Sequence, residues 1–148
     1  MLALSLFLAA LLTVMPMPDW IDLARPQWIT MALIFWMLRM PDRIGVLFAL
    51  SLGLLVDVLT SSALGEHGLS YALIAYLAGG LHKRILTGLV WQQALFAGAM
   101  LLIERVISFW VLTAGGYPAP GFAYWLSPVV GMLIWPLLST SLQPARRA

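Results

Sequence analysis

The stretch GLLVDVLTSSALGEHG, residues 53–68, places one carboxylate, Asp57, at the end of an otherwise apolar run. A carboxylate in a membrane interior costs at least ~2.5 kcal/mol on insertion scales, so it normally faces partners or water rather than lipid. Asp57 also ends a row of small residues at four-residue spacing, Gly45, Ala49 and Gly53. Small residues at this spacing let another helix approach closely. We therefore predict that the Asp57 face is packed against another helix.

The overall composition is typical of an integral membrane protein. Of 148 residues, 62% are hydrophobic and 9% are charged, a balance that no soluble domain of this size needs. Eight Lys and Arg residues against six Asp and Glu residues give a net charge of +2, too small and dispersed for a nucleic-acid surface. The chain has no cysteine, which excludes disulfides and thiolate chemistry. The expected environment is a lipid bilayer, and nucleic acid is not an expected partner.

Apolar runs near the length of about 17 to 25 residues that crosses a bilayer predict an all-α bundle of six transmembrane helices. The first run has no basic n-region or A-x-A site, so we expect it to stay as a helix rather than act as a cleaved signal peptide. The connections are too short for an extramembrane domain. The prediction is one transmembrane domain over residues 1–148, with spans at residues 1–15, 27–40, 44–61, 67–81, 86–113 and 122–142.

The basic residues fall on alternate connections, which predicts the orientation. Cytoplasmic loops retain Lys and Arg, and Arg25 is the single basic residue on the first, third and fifth connections. The other connections and the C-terminus carry the remaining loop residues, Arg39, Arg43, Lys83, Arg84, Arg146 and Arg147. Both termini are therefore expected to be cytoplasmic.

The fifth span offers a partner for Asp57, because it contains Glu104 and Arg105. On a helix these two neighbours point about 100° apart, and Arg105 shares its stripe with Ala94 and Gly98. At about 1.5 Å per residue, Asp57 and Arg105 fall at similar depth. We predict an ion pair between them that locks the bundle; a ligand or partner contact and a proton or ion relay are the alternatives.

Other polar residues give less specific signals. Glu66 and His67 are adjacent, and without a third ligand at helical spacing we expect solvated side chains rather than a metal site. Gln92 and Gln93 follow a tryptophan and are interpreted either as a partner contact or as amides that satisfy one another. The sequence contains no HExxH, GxSxG or P-loop motif, so we predict no catalytic, cofactor or metal residues and no enzyme.

An ordered set of short motifs covers nearly the whole chain: RPQW (25–28), PDRIG (41–45), GLLVD (53–57), LG (64–65) and WQQ (91–93). Together they resemble the bacterial rod shape-determining protein family MreD. The resemblance implies a multi-pass inner-membrane component of the cell-elongation machinery that makes peptidoglycan. It implies as partners a bitopic MreC-like protein and, indirectly, the MreB cytoskeleton and RodA with penicillin-binding protein 2.

The resemblance also implies a bundle similar to the substrate-binding component of energy-coupling-factor transporters. Two functions therefore compete, a membrane scaffold and a small-molecule-binding subunit of a vitamin-type transporter. A binding subunit needs a cavity with convergent polar groups, whereas a scaffold needs complementary helix faces, which the rows of small residues supply. We therefore expect part of these rows to be partner surface. The family positions implied to matter for fold and partner surface are Arg25, Pro41, Arg43, Gly53, Asp57 and Gly65. The further structural or partner-contact candidates are Gly45, Ala49, Gln92, Gln93, Gly98, Glu104 and Arg105.

Overall fold

The computed structural model describes residues 1–22 and 25–142, and these contain seven α-helices, one 3-10 helix and no β-strand. The all-α prediction is confirmed. Arg146 and Arg147, which entered the orientation argument, lie outside the described residues. The helices are α1 (Leu2–Val14), α2 (Asp19–Asp22), α3 (Trp28–Arg39), α4 (Val46–Thr60), α5 (Glu66–Leu86), α6 (Val90–Ala114) and α7 (Leu126–Ser141), with the 3-10 helix at Phe122–Trp125.

Every helix except α2 overlaps one of the predicted spans. Within the described residues, α6 and the continuous segment Phe122–Ser141 are long and apolar enough to cross a membrane, whereas α1, α3 and α4 are apolar but shorter than 18 residues. That six helices cross a bilayer with both termini cytoplasmic therefore stays a prediction.

Helix α3 is the centre of the bundle. Residues 29–38 are all buried, and α3 packs against α1, α5, α6 and α7. The Trp36 indole N–H donates to Ser5 Oγ of α1 at 2.7 Å, and the Phe35 ring lies 6.5 Å from that of Trp135, centroid to centroid. Its 12 residues span only about 18 Å, less than a hydrocarbon core of about 30 Å. Because neighbouring helices surround α3, its ends are sheltered by protein.

The predicted row of small residues packs inside the chain, between α4 and α5. A Cβ added at Gly53 would lie 2.5 Å from Gly68 Cα and from the His67 carbonyl oxygen, so the two backbones touch at this point. Ala49 on the same face is fully buried, while Gly45 at the start of the row is exposed. The partner of this row is thus α5 of the same chain.

The second small stripe is used in the same way, between α6 and α7. A Cβ on Gly98 would come 3.0 Å from the Met132 sulfur, and Ala94 is buried. Close helix approach in both pairs depends on residues without bulky side chains, since association in lipid rests on van der Waals contact.

Replacing Gly53 with alanine tests the α4–α5 contact. Because the new methyl group would overlap backbone atoms that cannot rotate away, we expect Gly53→Ala to reduce the free energy of unfolding by about 1 to 3 kcal/mol. Thermal melting of the purified protein in one detergent measures the change.

The matched control is Gly79→Ala, a position in α5 with no heavy atom within 4 Å of the added Cβ. Alanine there gains up to about 1 kcal/mol of helix propensity and meets no obstacle. Equal melting temperatures for the two variants would contradict the close approach at Gly53.

Candidate functional site

Asp57 lies in the last turn of α4 and is 1% exposed. Oδ2 accepts from the backbone amides of Gly65 at 2.9 Å and Gly68 at 3.4 Å. Oδ1 accepts from the His67 amide at 2.9 Å and from Ser62 Oγ at 3.0 Å. The first amides of a helix have no partner within it, and a negative charge is favourable at that end. Asp57 therefore caps α5.

The backbone of the turn is shaped for this capping. Ser61, after the last residue of α4, has φ 53°, and Gly65, before the first residue of α5, has φ 98°. The second value lies in a region that glycine adopts readily and other residues resist. The LG motif at residues 64–65 thus has a conformational reason, because a left-handed residue turns the chain so that the next amides point at Asp57.

His67 connects this cap to α6. Its Nδ1 lies 2.8 Å from Asp57 Oδ1, and since the carboxylate only accepts, Nδ1 carries a proton and donates. The other ring nitrogen, Nε2, lies 3.9 Å from Glu104 Oε1. Glu104 Oε2 accepts from Gln27 Nε2 at 2.7 Å. Side chains of α4, α5 and α6 and the residue before α3 thus form one polar chain.

Arg105 does not contact Asp57, so the predicted ion pair is wrong. Its Nη2 donates to Ser127 Oγ at 2.9 Å, and its guanidinium carbon lies 4.4 Å from the centroid of the Tyr124 ring. Similar depth fixes height along the membrane normal but not direction around the helix axis. Asp57 is instead satisfied by amides at the start of α5, which its own helix hairpin brings to it.

Glu66 and His67 also differ from expectation, because they point into the bundle rather than into solvent. Glu66 is 6% exposed and the His67 side chain is 20% exposed. In residues 1–22 and 25–142, no group of three or more His, Cys, Asp or Glu side chains is arranged to hold a metal ion.

A polar cavity of about 320 Å³ lies beside this chain of contacts. Most of its charged and amide side chains come from α5, α6 and the segment before α3, with Tyr124 from the 3-10 helix. Five polar or charged side chains in the lining are those of Gln27, Glu66, His67, Glu104 and Arg105. This convergence could not be predicted from the sequence, because Gln27 and Glu104 are 77 positions apart.

Arg25 borders the same cavity and ties the connection before α3 to α1. Its Nη1 donates to Asp22 at 3.2 Å, and its Nη2 donates to the carbonyl oxygens of Leu12 and Met15. Ser127 Oγ donates to the Arg25 carbonyl. The RPQW motif therefore anchors three segments at one end of the bundle.

The remaining candidates lie away from the cavity. Arg43 and Gly45 are exposed in the turn between α3 and α4, and Pro41 in that turn is half-buried. At the start of α6, Gln92 Oε1 accepts from the Leu89 amide at 3.1 Å, and Gln93 Nε2 donates to the Gly88 carbonyl at 3.4 Å. The two glutamines therefore bind the backbone of their own helix start, not each other.

Comparison with known proteins gives one consistent result. A family model described as "rod shape-determining protein MreD" matches residues 1–144. The Rod shape-determining protein MreD of Haemophilus influenzae is 26% identical over 148 aligned positions, which cover 97% of this chain and 90% of that protein. No solved structure matches the chain.

Double-mutant cycles distinguish the observed contacts from the ion pair. Asp57→Ala leaves buried amides unpaired and should reduce the free energy of unfolding by roughly 1 to 3 kcal/mol. The double variant Asp57→Ala/His67→Ala should lose less stability than the sum of the two single variants, by about 0.5 kcal/mol or more, because the two side chains are in contact. In the double variant Asp57→Ala/Arg105→Ala, the two losses of unfolding free energy should be additive, because these side chains do not interact. Unfolding in detergent measures all three changes.

Asp42→Ala is the control for these cycles, because Asp42 is exposed in the α3–α4 turn and should change stability by less than about 0.5 kcal/mol. Coupling of Asp57 to Arg105, with none to His67, would contradict the described geometry.

Proposed function

The chain belongs to the MreD family of rod shape-determining proteins, and from that premise we propose that it is a non-enzymatic scaffold of the cell-elongation machinery. The family match over residues 1–144 carries the proposal. A role in rod shape, and with it in peptidoglycan synthesis during elongation, follows from this membership. The bacterial inner membrane is the proposed location.

The proposed arrangement is a six-span bundle, made of α1, α3, α4, α5, α6 and α7, with both termini in the cytoplasm. Arg39, Arg43, Lys83 and Arg84 lie in or beside the α3–α4 and α5–α6 connections, which supports a cytoplasmic position for these two turns. We also propose that this bundle is similar in fold to the substrate-binding component of energy-coupling-factor transporters.

The proposed partner is an MreC-like bitopic membrane protein, through which the scaffold would reach the MreB cytoskeleton and RodA with penicillin-binding protein 2. The small-residue rows are used within the chain, so the contact has to be sought on another surface. Between α1 and α4 runs an apolar groove of about 380 Å³. Its residues include Phe7, Leu11, Leu55 and Leu59, all of which are exposed.

The apolar lining of this groove supports its proposed use by a single transmembrane helix. Helices in lipid gain little from burying apolar surface, so a partner is held by close fit between side chains. A groove with exposed apolar sides from two helices offers such a fit on both flanks of one inserted helix. We therefore propose that the groove between α1 and α4, here termed the α1–α4 groove, holds the partner's transmembrane helix.

Reporter fusions test the proposed topology. A reporter fused after Ala148 should be cytoplasmic, and one inserted near Gly116 should be outside, because basic residues hold the other connections in the cytoplasm. A reversed pattern, or an odd number of crossings, would exclude this arrangement.

A tryptophan scan tests the partner surface. Leu55→Trp should fill the α1–α4 groove and reduce co-isolation of the MreC-like partner by tenfold or more, equivalent to about 1.4 kcal/mol, with loss of rod shape. The matched control, Leu133→Trp, changes an exposed leucine of α7 and should preserve both. Protein abundance is measured in each strain.

The scaffold proposal fails if cells without the protein keep their rod shape. Loss of uptake of a small solute in such cells would instead favour the transport-subunit alternative. Retention of the partner by an abundant Leu55→Trp variant would reject the α1–α4 groove as its binding surface.

A further inference from the structure

The polar cavity contains a buried carboxylate that the rest of the bundle leaves unused. Within the described residues, the side chain of Glu66 takes part in no hydrogen bond or salt bridge, although its backbone carbonyl accepts from Ser70 Oγ at 2.7 Å. Glu66 is only 6% exposed and lines the cavity. Because this carboxylate borders the cavity and has no partner among the described residues, it is free to accept hydrogen bonds from a ligand there.

The second carboxylate of the cavity, Glu104, already has one hydrogen-bonded oxygen. It accepts from Gln27 Nε2 at 2.7 Å and faces His67 Nε2 at 3.9 Å, while Asp57 holds the opposite ring nitrogen. The Gln27 amide is oriented by its donation to Glu104, and its Oε1 has no partner among the described residues. The cavity lining therefore includes a second unsatisfied acceptor, in addition to the Glu66 carboxylate.

The same lining includes a cation with remaining donor capacity. Arg105 uses Nη2 for Ser127, and its Nε has no partner among the described residues. A guanidinium carries five N–H donors and binds carboxylates well. A ligand that carries both a donor-rich cation and an acceptor-rich anion would satisfy both sets with charge-assisted hydrogen bonds.

We propose that the cavity binds a small zwitterion of the amino-acid or dipeptide class. Its ammonium group, with three donors, is held by the Glu66 carboxylate and Gln27 Oε1. Its carboxylate is held by the Arg105 guanidinium. A volume of about 320 Å³ matches the lower end of small-molecule sites, roughly 300 to 1,000 Å³. This site adjoins the α1–α4 groove, with which it shares Ile29 and Val56, but its charged lining lies elsewhere, so it goes beyond the scaffold role.

Melting of the purified full-length protein in detergent tests the proposal with four probes: L-alanine, L-alanyl-L-alanine, ethylamine and propionate. A ligand that binds the folded state raises the melting temperature with its concentration. At least one zwitterion should give a saturable rise, and the amine and the carboxylate alone should not at equal concentration. The two zwitterions distinguish a free amino acid from a peptide.

Variants then locate the site by titration of the effective zwitterion. Glu66→Gln and Arg105→Lys should each weaken binding about tenfold to a hundredfold, the loss of one charge-assisted hydrogen bond. The controls Asp42→Asn and Arg43→Lys change exposed residues of the α3–α4 turn and should leave binding unchanged.

Three results would overturn the proposal: no shift with any probe, equal shifts with the single-charge probes, or full affinity in folded Glu66→Gln protein. The first two are measured on the unmodified protein, so they stand even if a variant does not fold. None of these results bears on partner co-isolation or cell shape, which test the scaffold separately.

Discussion

The arrangement of the bundle depends on one carboxylate that satisfies the first amides of a helix where water is scarce. Asp57 accepts from the amides of Gly65 and His67 at 2.9 Å each. If the start of α5 lies within a membrane, no water is available to replace the Asp57 carboxylate as the acceptor for those amides. The close contact of Gly53 with Gly68 is the matching backbone condition, because a side chain at Gly53 would push α5 away from the acceptor.

The cap also positions the cavity. By holding His67, Asp57 fixes the ring against Glu104, and Glu104 in turn orients Gln27 at the start of α3. A residue of the α4–α5 hairpin thereby determines which polar groups are satisfied internally and which stay available. The proposed scaffold and ligand roles then lie on adjoining surfaces that meet at Ile29 and Val56, an apolar groove between α1 and α4 and a polar cavity bordered by α5 and α6.

The sequence predicted what depends on composition and local spacing. Apolar runs indicated the all-α fold, and small residues at four-residue spacing indicated a close helix contact. It misplaced the partner of Asp57, because helical rise gives depth but not the direction of a side chain around its axis. The capping signal was present in Ser62, Gly65 and Gly68, close after Asp57. The contacts of Arg105 with Ser127 and of Gln27 with Glu104 join residues far apart in sequence, so only the packed bundle defines them.

Amide hydrogen exchange of the unmodified protein in detergent or lipid nanodiscs tests the capping of α5 by Asp57, at the amides of Gly65 and His67. Amides bonded to a buried carboxylate open only when the hairpin opens. If Asp57 caps α5, both amides exchange as slowly as amides in the middle of α5. Exchange as fast as that of the exposed α3–α4 turn would contradict the capping of α5 by Asp57.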